Sequence, residues 1–176
     1  MSDLSTIANR DVYNALANAC EVKGGLAINA AGAATVKTTA ALNYSVDGVL
    51  YSKAILAAQA ITVTHRADGK PVTTLDPAYV QPINTTVVYI LALNAAGTVA
   101  VIQGSYAGQQ LVYGSDISRL VTSGGGVPKL PAGYTPFGAI KVVTNGSTTF
   151  TPGTTLLDAA GLTVSYFDLA LLPTTL

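Results

Sequence analysis

Residues 85–103 read TTVVYILALNAAGTVAVIQ, and this stretch decides the class of the fold. Apolar side chains fill both alternating sets of positions, with Val87, Tyr89, Leu91 and Leu93 in one set and Val88, Ile90 and Ala92 in the other. A short run that is apolar on both faces is typical of a central strand in a sheet whose two faces are both covered. After Ala95-Ala96-Gly97 the apolar run resumes, so we predict a long hairpin. We expect Leu91 to lie in the core or in a subunit interface, where a charge would abolish folding or assembly.

The same stretch is too short to cross a membrane as a helix. Residues 82–115 carry no charge, but their continuous apolar core is about eight residues long, whereas a spanning helix needs about 20. The first residues of the chain also lack the cationic and apolar segments of a secretory signal. We therefore expect no membrane partner, and we expect the protein to stay in the compartment where it is made.

The chain has few charged residues and no net charge. Only 10% of its 176 residues are charged, nine of each sign, whereas an ordinary soluble domain has about 25%. A basic patch that could bind nucleic acid or anionic lipid is not expected from this charge pattern. The length is that of one domain. With so few charges, the protein surface must be neutral, or it must be shared with neighbouring copies.

Few residues could carry chemistry. Cys20, His65 and Glu21 are the only representatives of their residue types, which argues against a disulfide framework, a zinc cluster and most acid–base sites. His65 ends the run ITVTH, whose alternation places it on the face of Ile61 and Val63. We predict no catalytic, metal-binding or cofactor-binding residues and no cofactor. The open alternatives are a pH-sensitive contact at His65 and a hydrolase assembled from distant aspartates.

Turn signals divide most of the chain into short strands. Asp47-Gly48 lies between two β-prone runs, and a type I′ turn there sets Val46 opposite Val49 and Tyr44 opposite Tyr51. By the same reasoning, Asn145-Gly146 predicts a second hairpin with Val142 opposite Thr149. A third turn is expected at Asp68-Gly69. The alternating residues 162–166 predict a late strand with one buried face.

The amino terminus has the one convincing helical pattern. Apolar residues recur at steps of three or four over residues 5 to about 21, and Lys23-Gly24-Gly25 supplies a stop. We predict an N-terminal helical arm over residues 1–23 and a β-rich domain over residues 24–176. Two alternatives stay open, since the apolar stripe could pack on its own domain or on another chain; the interface candidates are Leu4, Ile7, Val12, Leu16 and, from the hairpin, Leu91.

The predicted fold class is all-β, a sandwich or jelly-roll-like domain with one N-terminal α-helix. Turn signals about 8 to 12 residues apart are typical of sandwiches and barrels, and the sequence does not distinguish these subtypes.

The carboxy-terminal third resembles virion structural proteins of tailed bacteriophages. The resemblance lies in residues 131–143 (PAGYTPFGAIKVV), residues 150–161 (FTPGTTLLDAAG), Tyr166-Phe167-Asp168 and Leu172-Pro173. In that group, small β-rich subunits of low charge serve as head decoration (cement) proteins or as parts of head and tail fibres.

The resemblance implies a function and its partners. It implies a capsid decoration protein on the virion surface, made in the host cytoplasm, homotrimeric, and bound across subunits of the major capsid protein. The alternative is a receptor-binding or glycan-binding fibre or tail-tip module. Nine tyrosines and no tryptophan suit either function, because tyrosine covers apolar surface while its hydroxyl remains hydrated.

Overall fold

The computed structural model describes residues 17–74, 76, 79–104 and 128–170, which form an all-β protein, as the sequence predicts. The strands of these residues are β1 (Ala27–Ile28), β2 (Thr35–Lys37), β3 (Leu42–Val46), β4 (Val49–Lys53), β5 (Gln59–Ala60), β6 (Thr86–Asn94), β7 (Val99–Gln103), β8 (Tyr134–Thr144) and β9 (Leu162–Asp168). Most of the predicted N-terminal helix lies outside the described residues.

The strands form three antiparallel sheets. The largest has the order β7-β6-β8-β9, and the smaller ones are β3-β4 and β1-β2-β5. The predicted hairpin is confirmed, since β6 pairs with β7 from Leu93 opposite Val99 to Tyr89 opposite Gln103. On its other side β6 pairs with β8, so it is the central strand that its two apolar faces predict.

Two apolar clusters lie on the opposite faces of β6. The inner cluster joins buried side chains from all three sheets, including Val36 of β2, Tyr44 of β3, Leu91 of β6 and Phe137 of β8. The outer cluster lies on the other face of the four-stranded sheet and contains Val88, Ile90, Ala92, Ala100, Ile102 and Ala139. Because the inner faces of the three sheets share one core, the arrangement is that of a layered, sandwich-like protein.

The Asp47-Gly48 hairpin has the predicted register. Val46 lies opposite Val49 and Tyr44 opposite Tyr51. Asp47 and Gly48 both have positive φ angles, 50° and 79°, as a type I′ turn requires. The two tyrosine rings stack with centroids 5.8 Å apart.

The second predicted hairpin is wrong. Val142 lies opposite Val87 on one side and opposite Val164 of β9 on the other, so no edge is left for Thr149. The Asn145 side chain instead accepts hydrogen bonds from the backbone amides of Ser147 and Thr148, which turns the chain away from β8.

The third turn and the late strand are present. Gly69 has a φ of 81°, and its amide donates to the Arg66 carbonyl, so the chain reverses at Asp68-Gly69 as predicted. Strand β9 contributes Leu162, Val164 and Tyr166 to the margin of the inner cluster. These side chains are half-buried, because β9 is an edge strand of its sheet.

The first described residues run beside β3. The Glu21 amide donates to the Asn43 carbonyl, the Ser45 amide donates to the Ala19 carbonyl, and Cys20 forms an antiparallel bridge with Tyr44. The expectation that helix continues to about residue 21 is therefore wrong, because this segment has extended pairing. The division of the chain after residue 23 stays a prediction.

A buried glutamine ties the loop before β6 to the sheet. Gln81 is completely buried, and its Nε2 donates to the carbonyls of Thr85 at 3.1 Å and Val142 at 3.0 Å. The Tyr89 hydroxyl donates to Gln81 Oε1 at 3.1 Å. The backbone of Gln81 also exchanges two hydrogen bonds with Phe150, so this residue links four segments of the chain.

Candidate functional site

The described part of the chain contains a small ion-pair network, in which Asp68 meets Arg66 and Lys70 and Asp76 meets Arg66, but no cluster suited to a metal ion. No group of three or more histidine, cysteine, aspartate or glutamate side chains there could hold one. His65 lies beside β7 in a bridge with Ile102, its Nδ1 is 3.0 Å from the Thr64 hydroxyl, and its ring meets Tyr134 edge-on with centroids 5.3 Å apart. Partial burial lowers the pKa of His65.

The position of His65 departs from simple alternation. Ile61 and Val63 belong to the inner cluster, whereas Tyr134, which His65 contacts, packs against the outer cluster. The amides of Thr64 and His65 both donate to the Val101 carbonyl, so two successive residues of this segment oppose one residue of β7. This local irregularity moves the imidazole away from the face that the sequence predicts.

Cys20 has the environment of a structural thiol. It is buried, and its Sγ contacts the Val22 carbonyl at 3.2 Å and the Asn43 carbonyl at 3.6 Å. Burial raises the pKa of the Cys20 thiol. Because the thiolate is the nucleophilic form, this shift works against reactivity at neutral pH.

Four of the five described aspartates bind backbone amides through their carboxylates. Asp68 accepts from the Lys70 amide, Asp158 accepts from the Gly32 amide at 2.7 Å, and Asp168 accepts from the Leu26 amide at 3.0 Å. Asp76 accepts from the Thr73 amide and hydroxyl, which lower the pKa of its carboxyl group, with a smaller contribution from Arg66. Asp68 and Asp76 therefore hold amides two or three residues away, as turn aspartates do, whereas Asp158 and Asp168 bind amides that are distant in the sequence and tie separate segments together.

The predicted interface residues have different outcomes. Leu91 is completely buried in the inner cluster, so the structure places it in the core of its own chain. Leu4, Ile7, Val12 and Leu16 lie outside the described residues, and their packing partner stays a prediction.

A surface that the sequence interpretation did not identify lies along β4. Val49 is 54% exposed and Leu50 is 67% exposed, and Ile55, just beyond the strand, is 56% exposed. We name these three residues together with Tyr51 and Ser52 the β4 surface. The sequence does contain a signal for it, because Val49 and Leu50 are consecutive and a strand in a two-stranded sheet cannot bury both.

Two grooves involve this region, one on the β3-β4 sheet and one beside the segment that pairs with β3. One has a volume of about 340 Å³ and is lined by Glu21, Asn43, Leu50, Tyr51 and Ser52. The other, also about 340 Å³, is lined by Asn18, Ala19, Cys20, Pro136, Asp168, Leu169 and Ala170. Neither groove brings two titratable side chains into a hydrogen-bonded pair.

Comparison of the chain with protein-family models, with curated proteins and with solved structures finds no match. Within the described residues, no helix has both the length and the hydrophobicity required to span a bilayer.

Proposed function

We propose that this chain is a structural subunit of a tailed-bacteriophage virion, made in the host cytoplasm, and that it acts as a capsid decoration (cement) protein. It stabilises the head by binding across subunits of the major capsid protein, as a homotrimer on the capsid surface. The observation that carries the proposal is the resemblance over residues 131–173. These residues include β8 and β9, two neighbouring strands of the largest sheet.

The physical character of the chain supports an adhesive function. Nine positive and nine negative side chains cancel, so identical copies can pack closely without strong repulsion. Exposed apolar residues lie on an ordered strand, and four of the five described aspartates are engaged with backbone amides. Binding energy from such a surface is small for each copy but is multiplied when many copies bind a symmetric lattice.

The stabilisation follows from mass action. A protein that binds the assembled shell and not its separated subunits shifts the equilibrium away from disassembly. No covalent bond forms or breaks in this function. The required property is a rigid shape, and the shared core of the three sheets supports it.

Copy number in purified particles tests the proposal. We expect hundreds of copies of the protein in each particle, spread over the head. Particles that lack the protein should release DNA at a lower temperature, and adding the purified protein back should restore their stability. Absence of the protein from mature particles, or unchanged heat resistance in particles that lack it, would overturn the proposal.

A second candidate is a glycan-binding fibre or tail-tip module. The groove beside Tyr51 favours it, because Glu21, Asn43 and Ser52 surround an aromatic ring, a combination suited to sugar hydroxyls and sugar faces. This function predicts a few copies at one vertex or on the tail. It also predicts binding to immobilised host glycans that weakens on Tyr51→Ala, whereas a decoration protein shows no such binding.

A further inference from the structure

We propose that the outer edge of β4 pairs with β4 of a second copy of this chain, in antiparallel orientation and centred on Tyr51. The inference adds a two-fold contact between copies to the homotrimer of the proposed function, which forms through other surfaces. It rests on that function only for the expectation that many copies meet at high local concentration.

No described residue pairs with the outer edge of the β4 backbone. With a two-residue turn, Val49, Tyr51 and Lys53 are the residues that exchange hydrogen bonds with β3. The amide and carbonyl groups of Leu50 and Ser52 then point away from β3. Among the described residues, neither Leu50 nor Ser52 makes a backbone hydrogen bond outside its own hairpin. An ordered strand with such an edge is a template for another strand.

The side chains of the β4 surface suit the same contact. From the exposed fractions of Val49, Leu50 and Ile55, the apolar area on offer is on the order of 300 Å², whereas a standard stable interface buries about 800 Å² on each partner. Apolar contact alone is therefore insufficient for a permanent dimer. We expect a weak, concentration-dependent association in which the strand hydrogen bonds supply the specificity.

A second copy is the occupant that best fits the sequence of β4. When the pairing is centred on Tyr51, Leu50 lies opposite Ser52 of the other copy and Lys53 lies opposite Val49. Lys53, the one charged residue of the strand, therefore does not lie opposite Lys53 of the other copy. The pairing also forms backbone hydrogen bonds at both Leu50 and Ser52. Because the strand contains no acidic residue, it offers no feature by which a basic partner would be selected.

The symmetry of the contact limits the assemblies that it can form. An antiparallel pairing of identical strands is two-fold, so by itself it produces a dimer. Where the chain is trimeric through other surfaces, the same pairing joins trimers in pairs. The native mass therefore changes by a factor of two when the contact is removed.

Leu50→Lys tests the surface, with Leu156→Lys as a matched control. Leu156 is 45% exposed and lies in the segment between β8 and β9, so the control adds the same charge away from β4. Sedimentation velocity over a wide concentration range should show association of the wild-type chain, a rise of the dissociation constant by about tenfold or more for Leu50→Lys, and little change for Leu156→Lys. A wild-type chain that stays monomeric, or equal effects of the two variants, would overturn the proposal.

Disulfide trapping tests the register. Cα atoms of directly opposed residues lie about 5.5 Å apart, within the range of a disulfide, whereas the two Leu50 positions are diagonal neighbours about 8 Å apart. A mixture of Leu50→Cys and Ser52→Cys chains should therefore form mixed dimers on oxidation, while Leu50→Cys alone should not. Cys20 is buried and does not compete. Efficient cross-linking of Leu50→Cys alone would contradict this register.

These results separate the inference from the proposed function. If Leu50→Lys abolishes self-association but the protein is missing from virus particles, the contact is correct and the proposed function fails. If the protein decorates capsids and Leu50→Lys weakens only capsid binding, a strand of another protein occupies the edge and the inference fails.

Discussion

Replacing the buried Gln81 with methionine should strongly destabilise the protein. The substitution keeps the length of the side chain but removes three hydrogen bonds, two to the carbonyls of Thr85 and Val142 and one from the Tyr89 hydroxyl. Each such bond contributes about 0.5–1.5 kcal/mol net, and buried polar groups that lose a partner cost more. We expect the free energy of unfolding to fall by about 2–4 kcal/mol.

Equilibrium denaturation in urea, followed by circular dichroism, measures this loss. For a chain of this length, it corresponds to a decrease in melting temperature of roughly 5–15 °C. Gln59→Met is the matched control, because Gln59 is only half-buried and its side chain bonds the neighbouring Ala60 carbonyl. The control should change stability by less than about 0.5 kcal/mol.

A double-mutant cycle then isolates the contact between Gln81 and Tyr89. Tyr89→Phe removes the hydroxyl that donates to Gln81 and preserves the ring that meets Phe150 edge-on at 5.7 Å. We expect a coupling energy of about 0.5–3 kcal/mol between the two positions. If Gln81→Met costs no more than Gln59→Met, the buried network does not stabilise the fold and the reasoning is refuted.

Three further predictions concern the core, the hairpin turn and alkaline pH. Leu91→Lys should give no folded protein, because it removes core packing and buries a charge, whereas Leu91→Met should cost less than about 1.5 kcal/mol; soluble yield and circular dichroism distinguish them. Gly48→Ala should lower the urea midpoint by an amount equivalent to about 1–2 kcal/mol, because Gly48 has a φ of 79° and open space around it, so the cost is conformational. Burial, with a smaller effect of Asp158, raises the pKa of Tyr166 to about 12. The unfolded phenol ionises near pH 10, so the free energy of unfolding should fall between about pH 10 and 12, and Tyr166→Phe should flatten that part of a stability profile.

Local chemistry made part of the fold predictable. The two-residue turn at Asp47-Gly48 fixes which residues of its hairpin lie opposite each other. Tyr44 and Tyr51 therefore meet as predicted, and no information from distant parts of the chain is needed. The two apolar faces of β6 likewise identify a central strand, because only such a strand has both faces covered. Each prediction depended on a property of one short segment.

The failed hairpin at Asn145-Gly146 illustrates what local chemistry cannot decide. Strand β8 needs apolar neighbours on its inner face, and the segment 147–149 offers only serine and threonine. Strand β9, which follows about 18 residues later, places Val164 beside Val142 and Tyr166 beside Ile140. Strand β9 pairs with β8 in place of the segment 147–149 because it buries more apolar surface. The Asn145-Gly146 turn motif contains no information about β9.

Gln81 was unpredictable for a related reason. In the sequence it lies between valine and proline, in a segment with no periodic pattern, and it resembles an ordinary loop residue. Its importance arises because three carbonyl or hydroxyl groups from β6, β8 and the preceding loop converge on one point. Buried polar residues of this kind become recognisable only when the groups that they satisfy are in place.

The β4 surface, finally, has an ordered strand although no strand of the described residues pairs with its outer edge, and this bears on how it could bind a partner. Tyr51 stacks on Tyr44, whose hydroxyl donates to the Asn94 carbonyl at 3.0 Å, and the Lys53 side chain passes close to Gly97 in the turn after β6. The strand is therefore held by its turn and by contacts at its inner face, although Leu50 remains largely exposed. A strand that is already extended loses little conformational entropy on pairing, so even a small interface can yield a useful contact. Because the Leu50 side chain is largely exposed in the single chain, a change there should affect association and leave the stability of the single chain nearly unchanged.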